Sequence, residues 1–126
     1  MNSRDSNNLQ INKVWLGGTV CKSPAIKFIS KTMPLTWFLL DVVERWEDRS
    51  GNPKQHNNVM KIEVLGAHAK RVHKELRQGM YCAIEGYIRV DKTLQHDIVK
   101  IRVFTIDYEV NHDRIRPDST GGVKSP

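Results

Sequence analysis

Period-two alternation of apolar and polar side chains recurs in five stretches of this chain, and a helical period occurs once, between the third and the fourth. Few architectures fit that order. In "INKVWLGGTVC", residues 11–21, Val14, Leu16, Gly18 and Val20 share one face while Lys13, Trp15, Gly17 and Thr19 share the other. Gly17 and Gly18 mark a bend, a bulge or a close backbone approach. After Pro24, "AIKFIS" reads as a short edge segment and "SKTMP" as a turn. A second strand runs from Leu35 to about Glu47, with Phe38, Leu40 and Val42 on one face, and the turn formers of "DRSGNP" close a hairpin. The third strand, Lys54 to Leu65, points Met60, Ile62 and Val64 inward and Val59, Lys61, Glu63 and Leu65 outward. From Ala67 to Gln78 the period changes: Ala69, Val72 and Leu76 recur at helical spacing among basic residues, with Gly79 where a C-terminal cap belongs. The fourth strand, Met80 to Val90, sets Cys82, Ile84, Gly86 and Ile88 against Tyr81, Ala83, Glu85, Tyr87 and Arg89. "DKTLQHD" is a polar hairpin loop, and the fifth strand, Ile98 to Glu109, sets Val99, Ile101 and Val103 against Lys100 and Arg102.

Five strands with one short helix between strands 3 and 4 is the order of the OB fold, a mainly β, partly open Greek-key barrel that grips single strands or oligosaccharides. The 126 residues suit one domain able to bury roughly two thirds of its unfolded surface. One core can therefore stand without disulfide or metal. We divide the chain into a flexible segment over 1–10, the barrel over 11–110 and a disordered tail over 111–126, where Pro117, "STGG" and Pro126 cluster. No apolar stretch approaches the roughly 18 residues that span a bilayer. The polar start "MNSRDSNNLQ" has no signal-peptide pattern, so a cytoplasmic, nucleoid-associated location is expected. Cys21 and Cys82 lack metal or redox spacing and read as reduced packing residues, although a disulfide between them stays geometrically open.

Lys and Arg number 20 against 14 Asp and Glu, a net charge of +6 that makes polyanions the expected partners. A modest excess also serves solubility, so charge alone does not name a ligand.

The residues themselves supply more. "NKVWLGGTV" at 12–20, "VERWEDRSG" at 43–51, "MKIEVLGAHAKRVHKELRQG" at 60–79 and "AIEGYIR" at 83–89 resemble, in order and spacing, the bacterial and mitochondrial single-stranded DNA-binding proteins. The resemblance spans roughly residues 11–109, and "LGGTVCKSP" is also similar to the opening of primosomal replication protein B, a dimeric relative. It implies an OB barrel, a dimer or tetramer, single-stranded nucleic acid as ligand, and replication or restart proteins as partners. The tryptophan matching Trp46 stacks on bases in that family. Three further stacking aromatics of the bacterial members fall on Val59, Leu65 and Thr93, none of which can stack. Those bacterial members also carry an acidic, phenylalanine-tipped tail, whereas this chain closes on "STGGVKSP", which implies either no recruitment by that route or an auxiliary role.

Read from the residues, a non-specific single-strand binder needs cations along the phosphates and flat side chains under the bases, each stacking residue worth about 1–3 kcal/mol. Trp46, between Arg45 and Arg49, fits that need. Strand parity offers an alternative, because Trp46 shares the face of Phe38 and Leu40 and could cap the core; stacking is preferred, because strong curvature or a bulge near the turn would break the alternation. Val59 and Leu65 would add apolar contacts. Tyr87 and Arg89, outward together on strand four, or Trp37, could replace missing aromatics; for Tyr87 a plain surface or interface role stands equal. Lys13, Lys61, Lys92, Lys100 and Arg102 take outward strand or loop positions where a basic groove would lie, though each alone reads equally as a solvated charge. In family members the strand bearing Trp15 lies at the dimer interface, so Trp15 is expected to pack on a partner subunit.

Catalytic readings are poor, and neither a metal nor another cofactor is expected. His56, His68, His73, His96 and His112 lack metal spacing, "LGGTV" lacks a P-loop lysine, and no serine sits in a nucleophile elbow. The serious rival is an oligomeric interaction module of the primosomal kind with weak nucleic-acid binding. Stacking and phosphate contacts scarcely separate DNA from RNA without a 2′-hydroxyl reader.

Overall fold

The computed structural model describes residues 9–110. The terminal segments expected to be flexible, 1–10 and 111–126, lie outside the described residues except for Leu9 and Gln10. Five strands, β1 (Val14–Ser30), β2 (Met33–Glu47), β3 (Pro53–Leu65), β4 (Tyr81–Lys92) and β5 (Asp97–Tyr108), close into a barrel in the order β1-β2-β3-β5-β4. A 3₁₀ turn, Gly66–His68, and one helix, α1 (Ala69–Glu75), link β3 to β4. This is the OB architecture that the alternation implies. Every pairing is antiparallel except β3 with β5, a parallel seam of Ile62↔Ile101 and Glu63↔Arg102.

Three local expectations change. "AIKFIS" is no separate edge segment but the second half of β1, which bends through register shifts between Val20 and Lys22 and between Lys22 and Ala25. Pro24 falls in the second shift, where a missing N–H costs the ladder nothing. The glycine pair lies before those shifts and answers to close approach: a side-chain carbon on Gly18 would run into the backbone carbonyl of Asp41, and one on Gly17 into the Tyr81 hydroxyl. The helix is shorter than its periodicity suggests, because Leu76 turns extended at ψ 138° and ends it. Gly79, at φ +92°, then serves the turn into β4, where its N–H donates to the Val20 carbonyl at 2.8 Å.

The core is laid down by the two periods together. Val20, Phe38, Leu40, Ile62, Cys82, Ile84 and Ile101 fill the barrel, and Ala69, Val72 and Leu76 seal one end of it. The Thr36 hydroxyl donates to the Ala69 carbonyl at 2.6 Å and fixes the helix on β2. Both cysteines are free; Cys21 is exposed, and burial pushes the Cys82 thiol up to about 11.

The feature that positions the site is a mismatch in strand length. β2 and β3 pair without a register shift from Leu35↔Leu65 to Glu47↔Pro53, yet β1 stops pairing with β2 at Thr19↔Asp41. Residues 42–58 therefore leave the barrel as a two-stranded ribbon. Its tip is pinned by Asp48, whose Oδ1 accepts the N–H groups of Ser50 and Asn52 at 2.9 Å each, while Gly51 takes φ +81°. The Asn52 and Ser50 amides hold the Asp48 carboxyl below its ordinary value.

Candidate nucleic-acid interface

Trp46 stands near the end of this ribbon, 49% exposed, opposite Lys54 in the ladder. Its parity is the inward one of Phe38 and Leu40, as the sequence implies, but the barrel has ended before the chain reaches it. The alternation is unbroken and no bulge is involved; the ribbon outruns the core. Arg45, Trp46, Glu47, Pro53, Lys54 and Gln55 line a shallow cleft there. Arg45 falls on the opposite face of the ribbon from the indole by alternation. Neither Arg45 nor Arg49 forms an ion pair among the described residues.

On the barrel wall the outer faces of β2 and β3 carry Trp37, Val59, Lys61 and Leu65. Val59 is exposed, and Leu65 is half-buried opposite Leu35. The ammonium groups of Lys61 and Lys22 lie over the Trp37 ring, 4.8 and 5.3 Å from its centroid.

The other nominated cations are engaged within the molecule. Lys13 bonds Glu85 at 2.8 Å and lies over the Trp15 ring at 4.6 Å, Arg89 meets Asp91 at 3.3 Å, and Lys92 meets Asp97 at 3.3 Å. Lys100 and Arg102 correct the expectation of an open basic groove. Lys100 is only 8% exposed and bonds Glu63 at 2.8 Å and also Asp91, while Arg102 reaches Glu63 at 2.9 Å. The cause is barrel closure: the parallel seam sets Glu63 beside β5, where the two cations enclose it. Burial pushes the Glu63 carboxyl up, but hydrogen bonds and attraction from Lys100 and Arg102 outweigh it and hold the group below its ordinary value. Burial pulls the Lys100 ammonium down, and Asp91 and Glu63 more than reverse that. Tyr87 is half-buried and packs on Phe104 at 5.1 Å between ring centroids, tilted 38°. Trp15 is 70% exposed on the far side of β1.

The model of the single-strand binding protein family matches residues 11–113. The chain belongs to the single-strand binding protein family. Among curated relatives, a single-stranded DNA-binding protein of Xylella fastidiosa is 32% identical over 87 residues, which cover 69% of this chain and 53% of that protein. One of Xanthomonas campestris pv. campestris is 29% identical over 90 residues, covering 71% and 52%. The chain thus spans about half the length of the curated relatives it matches. A Plasmodium falciparum single-strand binding protein solved in complex with single-stranded DNA superposes with a TM-score of 0.72 at 23% identity, covering 82% of this chain and 98% of that one. A small single-stranded DNA-binding protein of Streptomyces coelicolor gives 0.67 at 17%, covering 82% and 96%. These two likenesses establish the fold.

The single-strand binding protein family is one of binding proteins rather than enzymes, which agrees with the poor catalytic readings. Among the described residues no cluster of His, Cys, Asp and Glu could hold a metal ion. No helix there is long and apolar enough to cross a membrane. What sequence reasoning misses at Trp37 is its pair of lysines, Lys22 and Lys61. Alternation places Trp37 outward, but its lysine neighbours come from a bulge in β1 and from a ladder diagonal on β3.

Proposed function

We propose that this chain binds single-stranded DNA without sequence preference, as a homo-oligomer serving replication, recombination or repair. The carrying observation is Trp46: a half-exposed indole held at the tip of a rigidly turned ribbon, in a cleft with Arg45 and Lys54. Such a ring has one face for a base; Arg45, without an ion pair among the described residues, can meet a flanking phosphate, and Lys54 can do so by leaving Asp48, 3.9 Å away. Arg49 and Lys61 add charge, Val59 and Leu65 add apolar contact, and the family's own name supports the ligand. Trp15 is the residue we assign to the subunit interface, since an indole so exposed on β1 otherwise leaves its apolar surface in water.

Titration with a short oligothymidine at low and moderate salt tests this reading. Tryptophan quenching that weakens with salt, together with a roughly 5- to 150-fold affinity loss in Trp46→Ala, is the expected result, from about 1–3 kcal/mol per stacked base. A second reading, the interaction module of the primosomal kind, draws on the intramolecular ion pairs of Lys13, Arg89, Lys92, Lys100 and Arg102. It predicts unchanged emission even at low salt. Oligouridine run in parallel separates a DNA binder from one indifferent to the sugar.

A further inference from the structure

We infer that Trp37, with Lys22 and Lys61, forms a second base-stacking platform on the barrel wall, separate from the ribbon-tip site. The inference rests on the single-strand reading above and extends it to a residue that the reading does not need. OB folds take their ligands on the β2–β3 face and the adjoining loops, and Trp37 stands on that face. It is half-buried, so the ring is held by the sheet while part of it stays open.

The electrostatics around the ring favour a polyanion. Directly across the ladder from Trp37 is Glu63, a carboxylate that would repel phosphate. Its charge is already matched, because Lys100 and Arg102 enclose it at 2.8 and 2.9 Å and leave it 2% exposed. Lys22 and Lys61 have no carboxylate partner among the described residues and lie over the indole instead. Two ammonium groups confined beside one aromatic ring repel each other and gain only about 0.5–1 kcal/mol apiece from the ring at an exposed site. A nucleotide offers both components a better partner: the base takes the ring, and the ammonium groups swing onto the phosphates at either side. Among the described residues no other ring has two such cations: Lys70 lies alone over Phe28 at 5.6 Å, and the remaining pairs are tied to carboxylates. Lys13 over Trp15 is bonded to Glu85, and Arg71 over Tyr108 is bonded to Glu75.

Two full-length variants that each keep one of the two ring sites provide the test. Trp15→Phe with Trp46→Phe leaves Trp37 as the sole emitter, and Trp15→Phe with Trp37→Phe leaves Trp46. Each is titrated with oligothymidine beside the wild type. We expect emission from Trp37 to be quenched at saturation, Trp37→Ala to lose roughly 5- to 150-fold in affinity, and Trp37→Phe to retain most of it, since any aromatic face can stack. Lys22→Gln and Lys61→Gln each lower the magnitude of the log affinity against log salt slope by about 0.7. These two surface variants test the platform even if Trp37→Ala fails to fold. Quenching of the Trp46 emitter with an unchanged Trp37 emitter and unaltered salt slopes overturns the platform and leaves the ribbon-tip site standing. No binding by any protein, wild type included, overturns both.

Discussion

Glu63, enclosed by Lys100 and Arg102, gives a substitution of predictable sign. Glu63→Gln leaves the Arg102 guanidinium without its counter-charge and Lys100 with Asp91 alone, and should lower stability by about 3 kcal/mol, the low end for a broken buried pair, read as a shift in urea midpoint near neutral pH. The pH dependence follows from the directions of the shifts. The folded carboxyl titrates below its ordinary 4.5, so its contribution is complete above that value and declines as the pH falls through the folded one. Lys100 titrates above its ordinary 10.5, so its contribution is complete below that value and declines as the pH rises through the folded one. The contribution of this cluster should therefore be flat between these limits, with an acid decline that Glu63→Gln makes shallower. Alternation gave the outward direction of Glu63, Lys100 and Arg102 but nothing of their meeting. Their contact depends on which strands become neighbours when the barrel closes, and a period-two pattern along one strand carries no such information. Trp46 is the converse case: its parity and its exposure were both readable, and only knowledge of where the core ends reconciles them.

At the scale of the element, the five strands and the helix were legible because each keeps its period over many residues. Boundaries failed where tertiary geometry overrides local pattern, as in β1, whose bulges join two apparent segments, and in α1, cut short so that Leu76 can enter the core. Gly18 illustrates how tightly these elements meet. Gly18→Ala forces β1 away from the Asp41 carbonyl and should destabilise by about 1–3 kcal/mol, whereas the same change at Gly51 meets open space and costs only the strain of its positive φ. Denaturant melts of the two variants check the contrast. Among the described residues nothing pairs with the ribbon over 42–58 beyond its own two strands, so its amides should exchange with solvent well before those of Phe38, Leu40 and Ile62. Bound single strand should slow exchange at the ribbon more than in the core.

For the whole molecule, the net charge of +6 overstates what a polyanion meets. Most nominated cations are engaged with carboxylates, and among the described residues the set without ion pairs near Trp37 and Trp46 is Arg45, Arg49, Lys61 and Lys22. Four such cations predict a log affinity against log salt slope of magnitude about 3 or less per subunit, and a steeper slope would mean that ion pairs break on binding. Mass in solution, compared between wild type and Trp15→Ala, tests the subunit interface, with dissociation expected in the variant. The closure of the barrel has a further consequence. The parallel seam rests on two register pairs, Ile62↔Ile101 and Glu63↔Arg102, clasped from outside by the charge cluster. A cylinder has no free edges, but one unlocked at that seam presents two unpaired strands to any neighbouring molecule. Acid that neutralises the clasp should thus promote fibrillar self-association before the chain unfolds completely, and dye-binding growth curves would register it.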